Sequence, residues 1–390
     1  MNKKSNLSTK QKISTKPSTK KGILLKQFST HCPCCSDYPL SSPEIVNEVR
    51  DFFETNNIEF SLIKDKLTNW RLKAKLAVRK YNRRLILGLF YKNSHKIAPI
   101  ESCKAHHKLI TQIASIIEKE AKNYSIIPYS DDLSTGDLRY VQIIVNESKN
   151  KAQVSFVINN QKLSDNVKKF ISSFKKYQFI ESIWINYNAR SCNVIFSNKW
   201  EHFFGNSYLW QDFLGNNFAF HPAAFMQAHK QIFEKILTYI KENISKDSSV
   251  LELFAGVGVI GLSLVSKCKN VTLVENNPFS KVSFDETLKK TFSRYMDKVS
   301  YISQDASLID NLEDFDVIIL DPPRKGLSKS LIEKFCNLQN KTIIYVSCNF
   351  LTFKKDVEEL MKNKWRLTDA KSFLMFPGSN HLEIVATLKI

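Results

Sequence analysis

Phe315-Asp-Val-Ile-Ile-Leu-Asp-Pro-Pro-Arg-Lys-Gly326 and, further on, Ile343-Ile-Tyr-Val-Ser-Cys-Asn349 decide how this chain folds. Each is an apolar, β-branched run of strand length that ends abruptly in polar residues. In an open parallel sheet, ligands and chemistry sit beyond the carboxyl ends of the strands. Two such strands side by side present Asp321 and Cys348 to one crevice. Asp-Pro-Pro makes a stiff, extended exit, because each proline fixes its own φ and restrains the residue before it. A buried structural thiol is the alternative for Cys348; its place at a polar strand exit, beside Asn349, favours a chemical role.

Upstream, Ser249-Val-Leu-Glu-Leu-Phe-Ala-Gly-Val-Gly-Val-Ile-Gly261 reads as strand, glycine-rich turn and helix start. Gly256, Gly258 and Gly261 fit G-x-G-x-x-G, so a nicotinamide or flavin enzyme is a rival reading. The next strand, Val271-Thr-Leu-Val-Glu275, ends in an acid about twenty residues beyond the glycines, placed to accept hydrogen bonds from ribose hydroxyls. A third short strand, 299–302, is followed by Gln304-Asp305, within reach of an adenine edge. Acids at three successive strand ends (Glu275, Asp305 and Asp321) point to one ligand crevice. Glu252 inside the first strand, together with Asp-Pro-Pro-Arg, resembles the Rossmann-like methyltransferases that bind S-adenosylmethionine. Amino-methylating members carry an aromatic residue after the two prolines; here Arg324 stands there and a cysteine follows on the next strand, which points to methylation of carbon.

At 390 residues the chain is long enough for two or three domains. It has no apolar run of membrane-spanning length and no apolar signal core, and its eight cysteines are too sparse for a disulfide framework. A reducing, cytoplasmic setting is expected. The net charge of +19 favours a polyanionic partner, nucleic acid first among them. Residues 1–36 hold eight lysines and no acid, so the first thirty read as a basic disordered arm. Cys32, Cys34 and Cys35 then crowd together, with Cys103 the next cysteine; such thiolates suit zinc or an iron–sulfur centre, or are spare or redox-active thiols.

A helix is expected over 43–56. The stretch Trp70-Arg-Leu-Lys-Ala-Lys-Leu-Ala-Val-Arg79 alternates, with Trp70, Leu72, Ala74, Leu76 and Val78 on one face and Arg71, Lys73, Lys75 and Arg79 on the other. With a second strand over 85–91 it makes a hairpin whose outer face is wholly cationic, a surface suited to phosphates. A helix over 105–122, strands over 138–146, 152–158, 181–187 and 192–196, and a helix near 163–175 complete an α+β unit on an antiparallel sheet. A link over 205–215 leads into one long amphipathic helix over 222–244.

From about residue 30 to its end the chain resembles the RNA 5-methyluridine methyltransferase family. Ala224-Phe-Met-Gln-Ala228, Leu251-Glu-Leu-Phe-Ala-Gly-Val-Gly258, Asp321-Pro-Pro-Arg-Lys-Gly326, Val346-Ser-Cys-Asn349 and Phe376-Pro-Gly-Ser-Asn-His-Leu-Glu383 carry the resemblance. Trp70 to Val78, with Gly88-Leu-Phe90 and His95, is similar to the branch that acts on large-subunit ribosomal RNA without an N-terminal accessory barrel, for which the segment before the cysteines leaves no room. The resemblance implies an α/β fold: a Rossmann-like class I methyltransferase domain over 206–390, preceded by a smaller α+β RNA-binding region over 31–205 with an antiparallel sheet. It implies that Gln227, Phe254, Glu275, Asp305 and Asp321 bind S-adenosylmethionine, that Cys348 is the nucleophile and that Glu383 is the general base. It also implies an iron–sulfur cluster on Cys32, Cys34, Cys35 and Cys103, on a contracted loop. Two departures stand out: the family's cysteine before the first cofactor-loop glycine is Ala255, and its asparagine three residues after that glycine is Val259. The same chemistry on transfer RNA, a silent RNA-binding factor and a dehydrogenase remain as rivals. No obligate protein partner is implied.

Overall fold

A computed structural model describes residues 41, 43–81, 84–91, 94–190 and 194–390. Its larger sheet has eight strands in the order Leu62–Ile63, Arg366–Phe373, Glu383–Lys389, Thr342–Ser347, Val317–Leu320, Ser249–Leu253, Asn270–Glu275 and Val299–Ser303. Only the two pairings made by Glu383–Lys389 are antiparallel. The chain runs outward from Ser249–Leu253 to Asn270–Glu275 and Val299–Ser303, then returns to Val317–Leu320 on the other side. Loops leaving these strands in opposite directions open a crevice beyond their carboxyl ends. Ser249–Leu253 and Val317–Leu320 are buried along their whole length. Helices cover both sides of such a sheet, which is why these strands read as continuous apolar runs.

The second sheet has seven strands in the order Ile97–Pro99, Arg84–Phe90, Lys73–Tyr81, Leu138–Asn146, Lys151–Ile158, Ile180–Tyr187 and Trp200–Gly205. It is antiparallel except where Lys151–Ile158 pairs with Ile180–Tyr187, which the Asp165–Ser172 helix connects. The expected hairpin is there, with Val78 opposite Leu87 and Arg79 opposite Ile86. Trp70, Leu72, Ala74, Leu76 and Val78 are all buried, as the alternation requires. One apolar cluster runs from Trp70 to Val385, so the two sheets share a core.

Four expectations need correction. The strand expected at 192–196 does not form at 194–196, and residues 191–193 lie outside the described residues; Trp200–Gly205 pairs with Ile180–Tyr187 instead. The link at 205–215 is occupied by a hairpin of Leu209–Phe213 and Asn216–Phe220. The helix expected from 222 begins only at Lys230, where the His229 ring accepts from Ile232 N at 3.5 Å. The preceding segment turns at Pro222-Ala223, where Ala224 N donates to His221 O at 2.9 Å, and its carbonyls are taken by the second sheet: Gln142 Nε2 donates to Pro222 O (2.8 Å) and Lys73 Nζ to Ala224 O (2.9 Å).

The fourth correction concerns the N-terminal part. Ile45–Thr55 is a helix, as expected, with Ile45, Val46, Val49, Phe52 and Phe53 buried. It packs on the C-terminal layer rather than on the sheet that follows it in sequence. Phe52 meets Phe350 and Phe353 with ring centroids 5.8 and 6.2 Å apart, and Leu62–Ile63 pairs with Ser372 and Phe373. The helix's first N–H, on Ile45, donates to Asn380 Oδ1 at 2.8 Å. Full burial of a side chain such as Phe53 contributes roughly 2–3 kcal/mol, enough to hold the segment there. Among the described residues no helix is long and apolar enough to cross a membrane.

Candidate active site

The crevice beyond the central strand ends is lined by Phe225, Gln227, Glu252, Phe254, Gly256 and Asp321, among others. Its floor is the turn after Ser249–Leu253. Phe254 sits there at φ 62°, a left-handed conformation that a bulky side chain adopts only at a cost on the order of 1–3 kcal/mol. Gly256 follows at φ 56°, and a Cβ built on it would meet nothing within 4 Å, because that side of the turn faces the open crevice. Gly261 has a different reason to be glycine: a Cβ would lie 2.6 Å from Glu252 Oε2 and 2.7 Å from Leu273. The Gly261 N–H donates to that same Glu252 oxygen at 2.7 Å. Burial pushes the Glu252 carboxyl up to about 8, partly offset by this bond.

Glu275 ties the turn to the next strand end. Its carboxylate accepts from the N–H groups of Gly256 (3.0 Å), Asn276 (2.9 Å) and Asn277 (2.8 Å). An ionised carboxylate offers about four acceptor sites, so one remains for a ligand hydroxyl. Tyr301 braces the turn from the third strand, its hydroxyl donating to Gly256 O at 2.9 Å. Asp305 is exposed and caps a short 3-10 turn, accepting from Ser307 N and Oγ at 2.9 and 2.6 Å, which holds its carboxyl below the usual range.

Cys348 lies at the end of Thr342–Ser347 and Glu383 opens Glu383–Lys389, which pairs with that strand, Ser347 opposite Ile384. Burial pushes the Cys348 thiol up to about 11, and the negative charges of Glu383 and Asp321 add to this. Arg324 opposes both, through its charge and a hydrogen bond to the sulfur. Glu383 is 2% exposed; burial and Asp321 raise its carboxyl far above the usual range, and Arg324 again pulls the other way. Burial raises Asp321 as well. A thiol, two high-pKa carboxyls and one guanidinium thus form a single electrostatic unit.

The Arg324 backbone is fixed by Asn349 Nδ2 and Thr352 Oγ1, which donate to its carbonyl at 2.8 and 3.2 Å. The turn beyond it is fixed by Asp356 Oδ2, which accepts from Leu327 N (2.9 Å) and the Tyr345 hydroxyl (2.7 Å). Sequence reasoning missed Asp356 and Tyr301. Asp356 had a legible signal, an acid on the apolar face of its helix between Phe353 and Val357. Tyr301 had none. His381, beside Glu383 in sequence, has its pKa lowered by burial and by Arg324.

Among the four hairpin cations expected to face phosphates, the structure separates the roles. Lys75 is exposed, and Arg71 and Lys73 are half-buried. Arg79 is a correction: it is 6% exposed and its donors are spent inside the protein. Its Nε and Nη2 donate to Asp131 at 2.7 and 2.9 Å, and its Nη1 to the Val78 and Arg139 carbonyls at 2.9 and 3.0 Å. Of the expected cluster ligands, Cys32, Cys34 and Cys35 lie outside the described residues, while Cys103 is buried. Among the described residues no group of three or more His, Cys, Asp or Glu is arranged to hold a metal ion, so the iron–sulfur expectation gains no support.

Residues 44–389 match a family described as tRNA (uracil-5-)-methyltransferase. The chain is 36% identical over 378 residues to an RNA methyltransferase of Protochlamydia amoebophila, covering 95% of this chain and 98% of the relative. It is 26% identical over 354 residues to one of Fusobacterium nucleatum, covering 87% and 75%. Among solved structures it is similar in fold to the Pyrococcus abyssi tRNA (uracil-54, C5)-methyltransferase in complex with S-adenosyl-L-homocysteine. That match has a TM-score of 0.72 and 21% identity, and covers 87% of this chain and 81% of the other.

Proposed function

Since the chain belongs to the tRNA (uracil-5-)-methyltransferase family of S-adenosylmethionine-dependent RNA methyltransferases, we propose that it methylates uracil C5 in RNA through a covalent adduct between Cys348 and C6. The observation that carries this reading is the thiol–carboxyl–guanidinium unit of Cys348, Glu383, Asp321 and Arg324 beside a glycine-turn crevice. A cofactor-binding module without this chemistry has no use for a buried glutamate and a thiol on paired strands.

S-adenosylmethionine, when bound, supplies an electrophilic methyl group. The crevice residues suit it: Glu275 retains an acceptor for a hydroxyl, Gly256 leaves the turn open, and Gln227, Phe254 and Asp321 line the wall. Asp305, at the third strand end, belongs to the same set. Uracil C5 is a weak nucleophile. Addition of the Cys348 sulfur to C6 makes an enolate, and its C5 then forms the new bond to the methyl carbon as that carbon's bond to the sulfonium sulfur breaks, leaving S-adenosylhomocysteine. Glu383 removes the C5 proton, and breaking the C6–sulfur bond restores both the aromatic ring and the thiolate. Arg324 is the cation that favours the thiolate before attack.

A uracil inside folded RNA reaches such a crevice only when its nucleotide is flipped out, with flanking phosphates held by the basic hairpin, Lys75 foremost. Large-subunit ribosomal RNA is the substrate carried forward from the hairpin's sequence. Transfer RNA is the second reading, favoured by the family's description and by the named substrate of the Pyrococcus enzyme. The test is transfer of labelled methyl to ribosomal and transfer RNA lacking uridine methylation, with nucleoside analysis, for wild type and Cys348→Ala. Label in 5-methyluridine that vanishes in the variant supports the chemistry, and the labelled RNA identifies the substrate. Bound cofactor with no transfer to either RNA defeats the proposal.

A further inference from the structure

Phe220 to Ala224 form a strap between the two sheets that leaves the Asn216–Phe220 strand and closes a turn, in which Ala224 N donates to His221 O at 2.9 Å. The carbonyls of Phe220, Pro222 and Ala224 face the second sheet and accept from Gln153 Nε2 (3.4 Å), Gln142 Nε2 (2.8 Å) and Lys73 Nζ (2.9 Å). The Ala223 carbonyl faces the other way and accepts from Asn277 Nδ2 at 3.3 Å. On that side the N–H groups of Ala219 and His221 donate to Thr287 and Ser283 of the Pro278–Thr291 helix at 2.9 and 3.0 Å.

The three donors from the second sheet form one patch. Lys73 pairs with Ile144, Ile144 pairs with Gln153, and Gln142 stands two residues from Ile144 on the same face. Lys73 is also the second of two adjacent anchors. Leu72 N donates to Ala228 O at 2.8 Å, so residues 72 and 73 pin both ends of the short loop that carries Phe225, Met226 and Gln227 into the crevice wall.

We propose that Lys73, Gln142 and Gln153 are positioning residues that fix the Phe225–Gln227 loop for the cofactor, and that Lys73 serves the methyl-donor crevice rather than an RNA phosphate. The proposal rests on the reading of that crevice as the S-adenosylmethionine site. The Lys73 amine, half-buried on a backbone carbonyl and pushed down to about 7 by burial, is better suited to fixing a loop than to neutralising a phosphate, with Lys75 beside it as the exposed side chain. Lys73 also lies 5.9 Å from the Phe225 ring centroid, which steadies the loop's outermost side chain.

The test measures two affinities separately on the full chain: S-adenosylhomocysteine by calorimetry without RNA, and RNA by filter binding across a salt series. Lys73→Met keeps the aliphatic stem and removes the donor; Lys73→Arg keeps a donor; Gln142→Leu removes a second donor elsewhere on the strap. Lys73→Met and Gln142→Leu are expected to weaken S-adenosylhomocysteine binding about tenfold, with Lys73→Arg recovering most of it and the salt slope of RNA binding unchanged. Circular dichroism and melting temperature establish that each variant is folded, and Gln142→Leu carries the test if Lys73→Met is not. Wild-type cofactor affinity in the folded variants, with a salt slope reduced by about one in Lys73→Met, makes Lys73 a phosphate contact and overturns the inference alone. A wild-type protein that fails to bind S-adenosylhomocysteine overturns the crevice reading and the inference together.

Discussion

Replacing Arg324 by glutamine should make Cys348 a poorer nucleophile without loosening the fold. With its thiol pushed up to about 11, Cys348 is ionised in about one molecule in a thousand at pH 8. Arg324 pulls that value down, by charge and by hydrogen bond. A cation within hydrogen-bonding distance of an ionising group shifts it by about 1–3 pH units. Because Arg324 is exposed, solvent screens part of this, so the lower end, about 1.4 kcal/mol, is the appropriate figure. The sign follows from the charge: losing the guanidinium disfavours the thiolate, so the pKa rises. Alkylation of Cys348 by iodoacetamide, followed on its peptide by mass spectrometry, should therefore be about tenfold slower at pH 8. Wild-type rates should climb about tenfold per pH unit below the plateau, and the variant's profile should lie about one unit to higher pH. Arg324→Lys should fall between the two, and salt near 1 M should narrow the gap. The melting temperature should stay within about 1 °C, since an exposed side chain adds little stability. Alkylation as fast as wild type, or faster, would show that Arg324 does not govern the thiol.

The two hairpin cations Arg79 and Lys75 should behave oppositely. Arg79→Ala removes the buried guanidinium's bonds to Asp131 and to the Val78 and Arg139 carbonyls and, since the Asp131 carboxylate left behind is exposed to water, should cost on the order of 1–3 kcal/mol in denaturant titration, while the salt slope of RNA binding in the folded variant stays as it was. Lys75→Ala should change stability by less than about 0.5 kcal/mol and lower that slope by about one. Glu252 is raised from an unfolded value of 4.5 to about 8, so the folded state keeps a proton that the unfolded state has lost, and stability falls as pH rises between those values. Glu252→Gln, which can still accept from Gly261 N, should remove that dependence. Its gain should be on the order of 2 kcal/mol at pH 8 and absent near pH 4, as read by denaturant midpoints. Phe53→Ala should cost about 3–5 kcal/mol by the same assay, because the ring is wholly buried between the N-terminal helix and the C-terminal layer.

The central strands of the larger sheet were legible because burial on both faces leaves an unbroken apolar run ended by a polar exit. Asp321, Glu275 and Cys348 were read from those exits alone, and each lies at the end of its strand. The hairpin's alternation placed Trp70 to Val78 on the buried face correctly, yet misjudged the opposite face. Alternation says which side chains share a face; it does not say what later parts of the chain will cover it. Arg79 is covered by Asp131 and the Arg139 carbonyl, and Lys73 by Ala224, a partner 151 residues away in sequence. The helix expected from Pro222 failed for the same reason. Its residues suit a helix, but backbone bonds to a distant sheet outweigh a local preference that is worth at most a few tenths of a kcal/mol per residue.

The placement of Leu62–Ile63 beside Ser372 and Phe373 has a consequence for biosynthesis. The strand made among the first waits for one made among the last, and the apolar face of the Ile45–Thr55 helix waits with it for Phe350 and Phe353. During translation this helix leaves the ribosome with Phe52 and Phe53 uncovered, while the second sheet between them already has all its own strands. Closure of so long a loop is slow, and exposed apolar surface in the interval invites association with other chains. A protein stalled short of residue 350 should therefore be a chaperone client, and release of the complete chain should end that dependence.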